Sequence, residues 1–205
     1  MTTATSSPRK RRFAEIRRSG HRSCFVDTSV LIALWGYESR RGQRNHEVRA
    51  FFDAVRGIDC ELFVTPLTVE ELFHATLRKA VKANGGANMD PKRFRDQHRG
   101  TYVKLRDQTL QLVDQVMRTA TEFGVVMLLP CDDPPTSETA ASGSAEETPA
   151  IRICQTHRSL LAAHPELDSM DAMHVAIAFE LGCDAVATLD GDYEVVPEIV
   201  VYTDA

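Results

Sequence analysis

Several features are scarce in this 205-residue chain, and each scarcity excludes something. No apolar stretch approaches the ~20 residues that a membrane-spanning helix needs. The five cysteines, Cys24, Cys60, Cys131, Cys154 and Cys183, are odd in number and scattered, and no C-x-x-C pair occurs. That spacing supports neither a zinc knuckle nor a disulfide framework, and idle thiols in a reducing cytoplasm are the expectation. The basic opening "MTTATSSPRKRR" has no apolar run behind it, which argues against a secretory leader. No repeat period is visible. What remains is an ordinary soluble composition, 43% hydrophobic and 26% charged, at a length suited to one domain with a real core.

The net charge is −5, but it is unevenly spread. Residues 1–22 carry +6 and residues 78–106 carry +7, which leaves −18 on the remainder. Basic segments on an acidic body can guide a polyanion toward a local site, although a solvated tail and a solvated helix face are the plainer account. Residues 1–21 read as a flexible basic tail ahead of a single domain over 22–205. Residues 132–150, small, acidic and proline-bearing, read as a disordered loop.

Between these segments short apolar runs alternate with helical patterns. "SCFVD", "CELFVTP", "VVMLLP", "DAVATLD" and "PEIVVYT" read as strands. "TSVLIALWG", with Thr28 or Ser29 placed to cap it, reads as a helix, and so does "NHEVRAFFDAVRG" through Val48, Phe51, Phe52 and Val55. A helix opened by Thr68 closes at Gly85–Gly86. A basic helical stretch follows over about 85–122, capped by Asp90 with Pro91 at its first position, and Gly100 is placed to divide it. "IRICQTHRSLLAAH" and "DSMDAMHVAIAFELG" complete the helices. The alternation predicts an α/β fold with a central, mainly parallel sheet of about five strands flanked by helices.

In such sheets, sites form outside the carboxyl ends of the strands. Asp27 and Asp190 end two strand patterns, while Glu71 and Asp171 lie in the first turns of helices that begin at the same edge. Each has a plain role available: a cap for Asp27, a partner of the helix dipole for Asp171, a turn for Asp190. Four acids at one edge, with Asp192 and Glu70 nearby, would repel one another unless a cation neutralised them. Hard oxygen ligands suit Mg²⁺ or Mn²⁺, and such a cation beside a basic surface suits phosphodiester hydrolysis. By the same reasoning Asp27 contributes strain, so Asp27→Asn should melt at or slightly above the wild type without metal.

A rival arrangement places His74 three residues after Glu71 and His174 three after Asp171, as in di-iron carboxylate bundles. Such a bundle needs all its carboxylates on helices, and Asp27 and Asp190 end strand patterns. His74 and His174 are therefore read as helix residues packed beside the site.

Four motifs in order resemble the PIN-domain nucleases, and most closely the VapC-type toxins of bacterial toxin–antitoxin pairs. They are "FVDTSVLIAL", "TPLTVEELFHA", "DAMHVAIAFELG" and "TLDGDY", closed by "PEIVVYT". The resemblance implies a PIN-like three-layer sandwich and a cytoplasmic Mg²⁺- or Mn²⁺-dependent endoribonuclease. Asp27 and Asp171 would be the principal metal ligands, Asp190 a further or water-mediated one, and Glu71 would orient water at the metal. Ser29, Thr188 and Asp192 would support them. The resemblance also implies an RNA substrate, frequent homodimers and an antitoxin partner. Arg78, Lys82, Arg93, Arg95 and Arg99, from the basic stretch, are candidates for contact with RNA. A PIN ribonuclease of RNA maturation or decay without an antitoxin is the alternative. A silent PIN-fold binding protein is a further one, although its usual sign, loss of an acid, does not occur.

Overall fold

Short apolar runs, most of them buried on both faces, make strands, and here they stack side by side in one direction. The computed structural model describes residues 9–36, 42–85, 89–128 and 148–204. The strands are β1 Arg9–Arg12, β2 Ser23–Val26, β3 Glu61–Val64, β4 Val125–Met127, β5 Ala185–Ala187 and β6 Val200–Thr203. The helices are α1 Thr28–Gly36, α2 Gly42–Val55, α3 Pro66–Ala83, α4 Pro91–Gln97, α5 Arg99–Glu122, α6 Pro149–Ala163 and α7 Ser169–Glu180. Single 3₁₀ segments cover Phe13–Arg18 and Asp192–Val195. The sheet order is β1-β6-β5-β2-β3-β4, and every pairing is parallel.

Successive strand residues point to opposite faces, and this sorts the core into two layers. Cys24, Val26, Leu62, Val64, Ala185, Ala187, Val200 and Tyr202 face one cluster, which also takes buried residues of α1, α2, α3 and α5. Phe25, Phe63, Val186 and Val201 face the other, built with α6 and α7. The result is a three-layer α/β sandwich. A smaller cluster of Leu77, Val81, Phe94 and Leu105 ties α4 to α3 and α5. Among the described residues no helix is long and apolar enough to cross a membrane.

Four expectations need correction. Among the described residues there are six strands rather than about five, because Arg9–Arg12 pairs in register with Val200–Thr203. Part of the expected flexible tail is therefore held: Phe13 and Ile16 of the following 3₁₀ segment are buried, and Lys10 pairs with Glu194 at 2.7 Å. The basic helical stretch divides at His98 rather than Gly100. Helix α3 begins at Pro66, capped by Thr65, whose hydroxyl accepts from the Thr68 amide at 3.4 Å. Of the loop expected over 132–150, residues 132–147 lie outside the described residues, and Thr148 already caps α6.

The topology has one switch point. The chain leaves β2 toward β3 and β4, then returns on the other side through β5 and β6. A crevice between β2 and β5 follows at their carboxyl ends, which is where open α/β sheets bind ligands.

Candidate functional site

Asp27 stands at that switch point. Its amide donates to the Ala187 carbonyl at 3.0 Å, the last ladder bond between β2 and β5. Its carbonyl accepts the first bonds of α1, and its Oδ2 accepts from the Ser29 amide at 3.2 Å. Asp27 is therefore the cap of α1, and the hydroxyls expected to do this work look elsewhere. Ser29 Oγ also binds Asp27 Oδ2 and accepts from the Leu189 amide at 2.9 Å. Thr188 Oγ1 donates to the same oxygen at 2.9 Å. The other oxygen, Oδ1, accepts from the Tyr193 hydroxyl at 3.2 Å. Asp27 is 5% exposed, and these donors satisfy both its oxygens.

Glu71, in the second turn of α3, points back to the same place. Thr28 donates to Glu71 Oε2 at 2.6 Å, and His174 Nε2 lies 3.1 Å from the same atom. The His174 bond, then the Thr28 bond and the charge of Arg78, hold Glu71 below the ordinary carboxylate range against the opposing effect of burial. Oε1 accepts no hydrogen bond among the described residues.

Asp171 is in the first turn of α7, whose cap is Asp168; the Asp168 carboxylate accepts from the amides of Met170 and Asp171 at 2.7 and 2.9 Å. Gly182, with φ +70°, ends α7 in a left-handed conformation that suits glycine. Burial, Asp168, Asp27 and Asp190 together push the Asp171 carboxyl up to about 7, although a hydrogen bond from Tyr193 opposes them. Asp190 follows β5, with its amide on Thr188 Oγ1 at 2.9 Å and its Oδ1 accepting from the Asp192 amide at 3.2 Å. It thus has the turn role as well. The charge of Asp190, with smaller effects of burial and Asp168, raises Asp192.

The structure thus brings Asp27, Asp171 and Asp190 into one electrostatic field, with Glu71 hydrogen-bonded beside them and Ser29 and Thr188 as scaffolding. Among the described residues no three His, Cys, Asp or Glu side chains stand in a ready-made metal-binding group. The donors fit a hard divalent cation in chemistry, since all are carboxylate oxygens and Asp171 resists ionisation for want of an opposing charge.

Three participants have no signature at short sequence range: Tyr193, His174 as a partner of Glu71, and Asp168. His174 is fully buried, rests on Phe25 with ring centroids 5.2 Å apart, and has no partner at Nδ1. Its helix spacing from Asp171 suggests a di-iron pattern instead. That pattern is not formed: His74 is exposed, 3.6 Å from Glu70, and Asp27 and Asp190 follow strands of a parallel sheet rather than standing on helices of a bundle.

The five basic candidates are all exposed. Arg78 bonds the His74 carbonyl at 3.3 Å and its charge reaches Glu71. Arg95 is engaged by Asp96 at 3.1 Å. Lys82, Arg93 and Arg99 lie on α3, α4 and α5. No protein-family model matches the chain, and neither does any curated protein.

Proposed function

We propose that the protein is a metal-dependent endoribonuclease of the PIN type that hydrolyses RNA phosphodiester bonds. One observation carries the reading: Asp171, at the switch point of a parallel sheet, is held near neutral titration by burial and by three further aspartates, a condition that a divalent cation would relieve. Asp27, Asp171 and Asp190 would hold Mg²⁺ or Mn²⁺. When bound, the cation supplies positive charge to the phosphoryl oxygens and the leaving oxygen. The chain's own groups do the rest. Ionised Glu71, anchored through Oε2, offers Oε1 to orient the attacking water and take its proton. Water oxygen bonds to phosphorus as the bond to the leaving sugar oxygen breaks, and that oxygen takes up a proton. Arg78, beside Glu71, is placed to hold a neighbouring phosphate, with Lys82, Arg93, Arg95 and Arg99 extending the path.

The finer reading is the toxin of a VapBC-type pair, working in the cytoplasm as a homodimer and restrained by an antitoxin. It rests on the order of the four motifs. The deciding experiment is cleavage of single-stranded RNA by the purified protein in Mg²⁺, Mn²⁺ and excess EDTA. Activity should appear with either metal and vanish with chelator; undiminished cleavage in EDTA overturns the mechanism. Expression in a host, with mapping of new RNA 5′ ends for wild type and Asp27→Asn, tests the toxin role.

A further inference from the structure

Helices α1, α3 and α5 pack on the same side of the sheet, but they do not close on one another completely. Between them lies a cavity of about 220 Å³. Its floor includes the buried side chains of Leu72, Val113 and Val116, and α1 adds Ile32 and Trp35. Two polar residues complete the lining, the half-buried Thr76 and the exposed Lys79, both on α3. Trp35 and Lys79 thus stand at the mouth.

We propose that this cavity binds a small carboxylic acid with an apolar body, the body against the floor and the carboxylate on Lys79. Neither the acids of the crevice nor the metal-dependent reading enters into it.

Volume sets the body. An apolar cavity of ~150 Å³ already holds a benzene ring and stays dry, and this one is larger. A buried water needs roughly two to four polar partners, and the side chains of Leu72, Val113 and Val116 offer none. Charge sets the head. Lys79 is the one charged residue of the lining, α1 carries no charged residue, and α3 has no acid after Glu71. Lys79 has no ion pair among the described residues. A neutral ligand would leave this ammonium unmatched, and a bare anion would leave the apolar floor empty. A concave apolar wall with a few polar groups is the usual character of a small-molecule site. Trp35, the chain's single tryptophan, is 38% exposed at the mouth and can report occupancy.

The test is titration of the full chain with 3-phenylpropionate at neutral pH, read by Trp35 fluorescence and by calorimetry. Saturable binding is expected, with a Kd on the order of 0.1–1 mM. The corresponding alcohol, 3-phenylpropan-1-ol, should bind about two- to fivefold more weakly, and Lys79→Met should erase that preference. Inorganic phosphate, which has charge and no apolar body, should not bind over the same concentrations. Ala80→Leu fills the cavity from α3 and should abolish binding, with urea denaturation confirming its fold. Should it fail to fold, Thr76→Phe fills the same space. No saturable response from the wild type overturns the site. Equal binding of acid and alcohol, or of acid and phosphate, overturns the ligand class. Unchanged binding by a folded, filled variant places the ligand elsewhere and overturns the site as well. Trp35 emission that varies with protein concentration, with a dimer in sedimentation and no response to the acid, means that a second copy covers the cavity, and it equally overturns the proposal.

Discussion

His174 Nε2 lies 3.1 Å from Glu71 Oε2 at a ring with no exposed surface, so a fully buried imidazole orients a half-buried acid. The opposite oxygen, Oε1, accepts no hydrogen bond among the described residues. His174→Phe would keep the stacked ring against Phe25 and remove the Nδ1 atom that has no partner. The expected outcome is turnover reduced by about tenfold or more, with stability changed by less than about 1.5 kcal/mol. Cleavage kinetics beside urea denaturation check it. Unchanged turnover would reduce His174 to packing.

Asp27→Asn should lose activity and stability together. The amide nitrogen of asparagine must face either the Oδ2 donors or the Tyr193 hydroxyl, groups that now donate to a carboxylate. A mismatched buried donor costs about 1–3 kcal/mol, and loss of a preorganised charge costs about a hundredfold in turnover or more. This reverses the sequence-based expectation of a neutral or raised melting point. Thermal melts in EDTA beside a cleavage assay decide it; an active Asp27→Asn protein removes this site from the chemistry.

Stability of the metal-free protein should fall as pH rises toward neutrality. The Asp171 carboxyl is raised to about 7, mainly by burial and then by Asp168. An acid raised in the folded state stabilises fully below its unfolded value of about 4, and that contribution is lost as pH climbs through the folded value. Glu71, lowered by His174, has the opposite sign: its contribution is lost as pH falls through its lowered value. Asp171→Asn should therefore flatten the decline between about pH 4 and pH 7 and leave the acid limb in place. Added Mg²⁺ should also flatten it in the wild type. Equal slopes for wild type and Asp171→Asn in EDTA would assign the decline to another group.

Charge removal on α3 should weaken RNA binding across sequences. Every phosphate deprived of its cationic side chain flattens the dependence of log affinity on log salt by about 0.7 for a single strand. Arg78→Ala with Lys82→Ala should lower the slope by about 1.4 if both residues meet phosphates. Fluorescence anisotropy over a salt series measures it, and an unchanged slope returns both to solvated surface.

Where side-chain pattern decides structure, the sequence is informative. The runs around Phe25, Phe63 and Val186 alternate across the sheet as apolar strands must, and of the acids expected at its edge Asp27 and Asp190 lie near enough to Asp171 to raise it. Strand β1 leaves no such signal because "RKRR" has no apolar face; its place comes from backbone pairing with β6 and the Lys10–Glu194 ion pair, both long-range. Tyr193 and His174 escape notice as site residues for a related reason. An aromatic and a histidine on an apolar helix look like core, and here they are core. Only the partner at the end of each side chain, fixed by topology, gives them a second task. Sequence alone offers Asp27 as either cap or site residue; the structure shows the cap through Oδ2, while Oδ1 meets the Tyr193 hydroxyl.

The pairing of Arg9 with Val200 has a consequence for the newborn chain. Synthesis at ~5–20 residues per second separates these two strands by roughly 10–40 s. Throughout that interval Asp27 exists without the hydroxyls of Thr188 and Tyr193, and β1 has no strand to lie against. Contacts so distant in sequence also form late in folding. The acid cluster is therefore an end product of biosynthesis: a ribosome making this protein carries a sheet with its crevice unbuilt, and the acids come together only when the final segment docks.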